Sequence, residues 1–250
     1  ATATCAENCA LLSKHLQQLP AETATSAVVA PVDIAFDVTG AKLDNVVQQL
    51  QQLYDAATSC RFLNSVNILP RHVPATAEPA LVALTAEQLL PELGFDAHQY
   101  VAMGGTFDRL HSGHKMLLTS SILHTKAKLR VGITGPELLK KKKHAEFLQS
   151  YDDRVGGVLT FVEKVRTDVE YEIAELVEAS GGTNKIPDVS AMVVSPETLP
   201  SFANINKERE ANGLIPMKAV TIEYVGGDAD SRISSTALRK KAGDEKDAAK

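Results

Sequence analysis

From Tyr100 onward the chain alternates short apolar runs with stretches of helical periodicity, and that alternation limits its fold more than any other feature. QYVAMGG, KLRVGIT and DVSAMVVS are apolar enough to be strands covered on both faces. Between them, HKMLLTSSILHTK and SYDDRVGGVLTFVEKVR repeat apolar residues at helical spacing, the second opening on a Ser150/Asp153 capping pair. DVEYEIAEL reads as an edge strand, and Pro200 opens a helix running towards Gly213. MKAVTIEYV is the last strand, and a final helix lies around SSTALRKKA. Strands separated by helices predict an α/β fold with a doubly wound, mainly parallel sheet. Ligands of such sheets sit beyond the carboxyl ends of the strands.

Residues 1–98 form a smaller α/β accessory domain on the same reasoning, and residues 99–250 the main domain. SAVVAPVDIAFDV alternates as a strand, LDNVVQQLQQLYDAA has helical spacing, and FLNSVNILP is a second strand. RHVPATAEPALVAL carries two prolines and reads as a connector, followed by a short helix TAEQLLPEL and a boundary near residues 91–99. Charge divides unevenly: residues 1–98 carry a net −6 and residues 99–250 a net +1. The second part is therefore the better host for a small anion, and every candidate site residue lies in it. It is not basic enough for nucleic acid as a main partner. What the first part binds, and whether the protein self-associates, is not legible in the sequence.

No run of about 18 apolar residues occurs, which gives no support for a membrane span. The opening ATATCAENCALLSKHLQQLP lacks the pattern of a secretory or transit peptide, although a start at Ala1 is compatible with a trimmed leader. Three cysteines are too few for a disulfide framework and point to a reducing compartment, the cytoplasm. No His, Cys or carboxylate grouping has metal-ligand spacing, and neither a G-x-x-x-x-G-K-[ST] loop nor a G-x-S-x-G turn occurs.

The segment VAMGGTFDRLHSGHKMLL carries the densest chemistry. Gly104 and Gly105 at a strand end let backbone approach a ligand, with Thr106 and Phe107 following, and Gly113 repeats the opening one turn later. Ser112 to His114 enter the first turn of a helix, whose N–H groups favour an anion. His111 and His114 flank the same place and can donate to phosphate oxygens. Composition alone yields His-x-Gly-His about 0.01 times in a chain like this, which favours a functional reading over coincidence. In RISSTALRK, Ser234, Ser235 and Thr236 present hydroxyls at another helix start, with Arg239 one turn on. Asn206 and Arg209 share a helix face, and Lys140 opens a run of four lysines after a strand.

Together, in this order, GGTFDRLHSGHKMLL and RISSTALRK resemble the signatures of the His-x-Gly-His nucleotidyltransferases, most closely the phosphopantetheine adenylyltransferases of archaeal and eukaryotic type. The resemblance covers about residues 99–241 and implies a Rossmann-like domain. LKKK before Tyr151 and Arg154, and the stretch VSPETLPSFANINKEREANGL, add to it. It implies that His114 contacts the α-phosphate of a nucleotide, that His111 and Thr106 hold phosphate groups, and that Lys140 binds phosphate at the reacting centre. Ser234, Ser235, Thr236, Arg209 and Arg239 then grip the remaining phosphates, Gly104, Gly105, Phe107 and Gly113 shape the nucleotide site, and Asn206 faces the acceptor phosphate. The implied reaction is transfer of AMP from ATP to 4′-phosphopantetheine in coenzyme A biosynthesis, with Mg2+ carried by ATP. Two alternatives stay open: another nucleotidyltransferase, acting on a cytidyl donor or on nicotinamide mononucleotide, and a nucleotide-binding regulatory protein without turnover. The groups that recognise the nucleobase and the pantetheine arm are not readable.

Overall fold

A computed structural model describes residues 5–18, 32–38, 41–60, 66–71, 97–140, 142–226 and 235–248. The proline-rich connector beyond Arg71, the helix TAEQLLPEL and Ser234 lie outside these residues.

The main sheet has five strands in the order β5-β4-β3-β6-β7, every pair parallel. They are β3 (His98–Gly105), β4 (Thr125–Thr134), β5 (Glu170–Leu176), β6 (Ala191–Val194) and β7 (Lys218–Thr221). From β3 the chain winds outward through β4 to β5, then returns to lay β6 on the other side of β3, with β7 beyond it. The order reverses between β3 and β6, so a crevice opens there beyond the carboxyl ends of the strands. β5, read from the sequence as an edge strand, lies at one edge, and β7 lies at the other.

The first part holds helix α1 (Cys5–Gln18) and a two-stranded parallel sheet, β1 (Val32–Asp37) and β2 (Val66–Arg71), connected through helix α2 (Leu43–Ser59). Parallel pairing requires such a crossover. Val46, Leu50, Leu53, Tyr54 and Ala57 fall on one face of α2 and are all buried. That face packs on helix α3 (Ser112–Leu123) of the main domain. One apolar core consequently runs from Leu12, Leu50 and Ile68 to Val101, Leu118, Val131 and Val162. Burial of each such side chain contributes roughly 1.5–3 kcal/mol, so the seam between the two parts is part of the stability of both.

The remaining helices are α4 (Pro136–Leu139), α5 (Tyr151–Val165), α6 (Leu199–Ala211) and α7 (Ser235–Ala248). Ser150 caps α5 as expected, accepting from the Asp153 N–H at 3.1 Å. α3 stops at Leu123, earlier than its apolar pattern suggests, and β4 begins at Thr125. Arg166, fully buried, ends the helix: its Nη1 donates to the carbonyls of Ile122 (3.2 Å) and Thr125 (2.8 Å). This anchoring fixes the far end of the helix whose near end carries both histidines.

Candidate active site

The crevice between β3 and β6 is a cleft of about 450 Å3. Its floor is Gly104 and Gly105 at the end of β3 with Thr106 after them, Thr134 at the end of β4 and Ser195 after β6; one wall is the start of α3, with His111, Gly113 and His114. Ile222 to Val225, which follow β7, and Ser235, Thr236 and Arg239 of α7 complete it. Two segments 124 residues apart in sequence meet here, with Ser235 Oγ 3.5 Å from His111 Nε2.

The two histidine rings stack, with centroids 3.9 Å apart and 23° between planes. Gly113 makes that possible, since a Cβ there would stand 3.2 Å from the His111 ring. Burial holds His111 well below its ordinary pKa, and the neighbouring His114 adds to the effect. Burial alone pushes His114 down to about 3. Both are neutral imidazoles at neutral pH, each able to donate one N–H without a charge to desolvate. Their Nδ1 atoms are buried and have no hydrogen-bond partner among the described residues. His111 is the N-cap residue of α3 and makes no side-chain cap, so the helix start is not closed by its own side chain. Anionic oxygens are the ligands that such a helix start and two imidazole donors suit.

Other parts of the predicted set act as supports. Phe107, buried and at φ 52°, lies behind His114 with ring centroids 5.3 Å apart. A Cβ on Gly105 would stand 3.0 Å from the Phe107 ring, and one on Gly104 would stand 3.3 Å from Leu176. Both glycines therefore leave room for side-chain packing as well as lining the cleft. Arg239 is almost fully buried: Nη1 donates to Asp108 Oδ2 at 2.8 Å, Nη2 to Thr236 Oγ1 at 3.0 Å and Nε to the Lys143 carbonyl at 3.2 Å. It orients Thr236 and itself lines the cleft.

Three residues do not reach the cleft. Arg209 is fully buried elsewhere, its five N–H groups donating to the carbonyls of Ile215, Thr183, Ile186, Pro187 and Val189. With every donor engaged, it braces α6 against the loop before β6 and has none for a nucleotide. Asn206 exchanges two 2.9 Å hydrogen bonds with the backbone of Met217, fixing the approach to β7. Lys140 is exposed and pairs with Glu137 at 2.5 Å; among the described lysines of the run, Lys142 lines the cleft. A shared helix face placed Asn206 and Arg209 together correctly, but cannot tell an inward face from one that meets ligand.

Sequence reasoning missed Asp108, fully buried, whose carboxylate accepts from Gln149 N at 3.0 Å as well as from Arg239. Its place inside GGTFD was the available signal, since a carboxylate among buried residues needs a partner. Arg154, also buried, donates from Nη1 to the carbonyls of Thr106 (2.8 Å) and Thr134 (2.9 Å), tying the ends of β3 and β4 together. Among the described residues no group of three or more His, Cys, Asp or Glu is arranged to hold a metal ion, and no helix is long and apolar enough to cross a membrane.

The Cytidylyltransferase-like family matches residues 102–241. The phosphopantetheine adenylyltransferase of Saccharomyces cerevisiae is 36% identical over 151 residues, 58% of this chain and 50% of that protein. This chain thus spans about half the length of the yeast relative. The phosphopantetheine adenylyltransferase of Thermococcus gammatolerans is 37% identical over 142 residues, 57% of this chain and 88% of that protein. A solved protein of unknown function from Archaeoglobus fulgidus aligns with a TM-score of 0.46 and 28% identity, covering 53% of this chain and 96% of that one.

Proposed function

The chain belongs to the Cytidylyltransferase-like family, and from that premise we propose that it transfers AMP from ATP to the phosphate of 4′-phosphopantetheine, giving dephospho-coenzyme A and pyrophosphate. The names of the yeast and archaeal relatives support this donor and acceptor. The observation that carries the reading is the stacked His111–His114 pair at the start of α3, facing Ser235 and Thr236 across the cleft.

In this reading an oxygen of the acceptor phosphate attacks the α-phosphorus of ATP. A new O–P bond forms, the bond from the α-phosphorus to the bridging oxygen breaks, and pyrophosphate leaves with that electron pair. A phosphomonoester has its second pKa near 6, so the nucleophile is already largely dianionic and needs no base. The residues therefore position the groups and offset charge. His114 donates to the α-phosphate oxygens, where charge grows, and His111 donates beside it while touching Ser235. The N–H groups at the start of α3 face the same oxygens. Thr106 and Lys142 hold the acceptor phosphate, with Lys142 in the place that the sequence suggested for Lys140. Ser235 and Thr236 retain the leaving pyrophosphate at the start of α7, Thr236 being aimed by Arg239 and Arg239 by Asp108. Magnesium enters as part of the nucleotide, neutralising phosphate oxygens.

Residues 99–250 carry this chemistry as one domain and residues 1–98 form the accessory one. A cytoplasmic setting goes with this reading, since three cysteines are too few for a disulfide framework. Pyrophosphate release, measured with ATP and with CTP against phosphopantetheine, nicotinamide mononucleotide, phosphocholine and glycerol 3-phosphate, tests the reading. Release with ATP and phosphopantetheine alone is expected. Preference for CTP or for another acceptor would replace the assignment.

A further inference from the structure

The accessory part contributes no group to the chemistry above, yet two of its elements hold opposite walls of the cleft. From α2, Gln51 Nε2 donates to the Tyr224 carbonyl at 3.0 Å, and Asp55 Oδ1 accepts from the Gly226 N–H at 2.8 Å. Gln51 Nε2 lies 3.2 Å from Asp55 Oδ1 as well, so the two side chains hold each other in place one turn apart. Tyr224 and Val225 line the cleft. Gly226 has φ 86°, a left-handed conformation that glycine adopts without strain, and the chain leaves it towards α7. On the other wall, buried Lys115 stands next to His114, and its Nζ donates to the Val66 carbonyl of β2 at 2.8 Å. The apolar face of α2 also packs on α3.

We propose that α2 is a positioning element of the nucleotide cleft, with Gln51 and Asp55 fixing residues 222–226 and so the wall of the cleft that Ile222 to Val225 form. The inference rests on reading this cleft as the ATP site. Gln51 and Asp55 lie outside residues 102–241, which match the family, so nothing in that match gives them a role. The archaeal relative is covered for 88% of its length by 142 aligned residues, which leaves too little chain for a counterpart of residues 1–98. In this protein the loop after β7 is set by an added domain. Hydrogen bonds from a helix that is itself packed on α3 link one wall of the cleft to the other, so both walls share one rigid reference.

The test uses the full chain, with Gln51→Ala/Asp55→Ala as the loosened variant, Gln51→Ala as a milder one and Asp55→Asn as the conservative one. The Asn oxygen can still accept from Gly226 N–H. Three quantities are measured: the Kd for Mg-ATP by calorimetry, kcat with KM for each substrate, and amide exchange over residues 222–226. Loss of both ties is expected to speed exchange of the loop and to raise the Kd and KM for Mg-ATP about tenfold, with KM for phosphopantetheine within about twofold of the parent. Asp55→Asn should stay within about twofold of the parent, and Gln51→Ala should fall between. Unchanged exchange and an unchanged Kd in folded variants would overturn the proposal. So would a fall in kcat alone, the mark of a general loss of structure. A parent that binds no Mg-ATP would instead overturn the adenylyl-transfer reading, and the exchange rates would still decide whether α2 holds the loop.

Discussion

Replacing Arg209 with Met should damage the fold and spare the nucleotide site. The guanidinium is fully buried and satisfies five carbonyls, four of them in the loop of residues 183–189 before β6 and one at Ile215 before β7. Met fills much of the side-chain volume but leaves all five oxygens without that donor. Each hydrogen bond from a charged donor is worth about 1.5–3 kcal/mol, and a buried acceptor left alone costs about 1–3 kcal/mol. The five are not additive, because water can enter and the loop can relax, so we expect a loss of about 4 kcal/mol. A domain has roughly 5–15 kcal/mol in total, so the variant should remain folded but with a much lower urea midpoint. Arg209→Lys should recover little, since three ammonium donors on one nitrogen cannot span the fork. The folded fraction should bind Mg-ATP within about twofold of the parent, a change of less than ~0.5 kcal/mol. A destabilisation below about 1 kcal/mol with ATP affinity lowered tenfold would refute the reasoning and return Arg209 to the phosphates.

Asp108→Ala should cost about 3–5 kcal/mol by leaving Arg239 as a buried charge without its carboxylate, and it should weaken ATP binding because Thr236 loses its orientation; urea unfolding and calorimetry on one preparation check both. Lys115 has its pKa pushed from 10.5 down to about 7 by burial, so between those values the unfolded chain binds more protons and stability should rise with pH by up to about 1.4 kcal/mol per unit. Lys115→Met should flatten that rise in melts taken from pH 7 to 10, and an identical slope in both proteins would remove Lys115 as its source. Gly132→Ala would place a Cβ 2.5 Å from Leu176 Cδ2, forcing that cleft-lining side chain aside, with an expected cost of about 1–3 kcal/mol; an unchanged Tm would show that Leu176 moves freely.

The order of strands and helices was legible because the central main-domain strands are short apolar runs bounded by helical spacing, and the switch point follows from the sheet once β3 and β6 are neighbours. His111, His114, Ser235 and Thr236 stand out as candidates because a helix start announces itself in a few consecutive residues, and the structure gathers them with Thr106 around one cleft. Arg209, Asn206 and Lys140 were misplaced for one shared reason. Charge and helical phase show which residues lie together, but not whether a carbonyl-rich loop or open solvent meets them. Asp108 and Gln149, joined to Arg239 from three separate segments, depend on tertiary closure that no local pattern encodes. Helix α1 was not predicted, since its apolar residues are few and polar ones interrupt them.

Most directly, the account turns on whether the HSGH turn serves the chemical step. His114→Ala removes a donor aimed at oxygens whose charge grows only as the α-phosphorus becomes five-coordinate, so turnover should fall roughly 10²–10³-fold. Affinity for Mg-ATP, which the proposed site also holds through Ser235, Thr236 and the α3 backbone, should change by less than about threefold, or ~0.65 kcal/mol. Pyrophosphate release and calorimetry on the same variant give both numbers. Turnover within about threefold of the parent would contradict the account, leaving His114 a packing partner of Phe107 and His111 at an ordinary helix start.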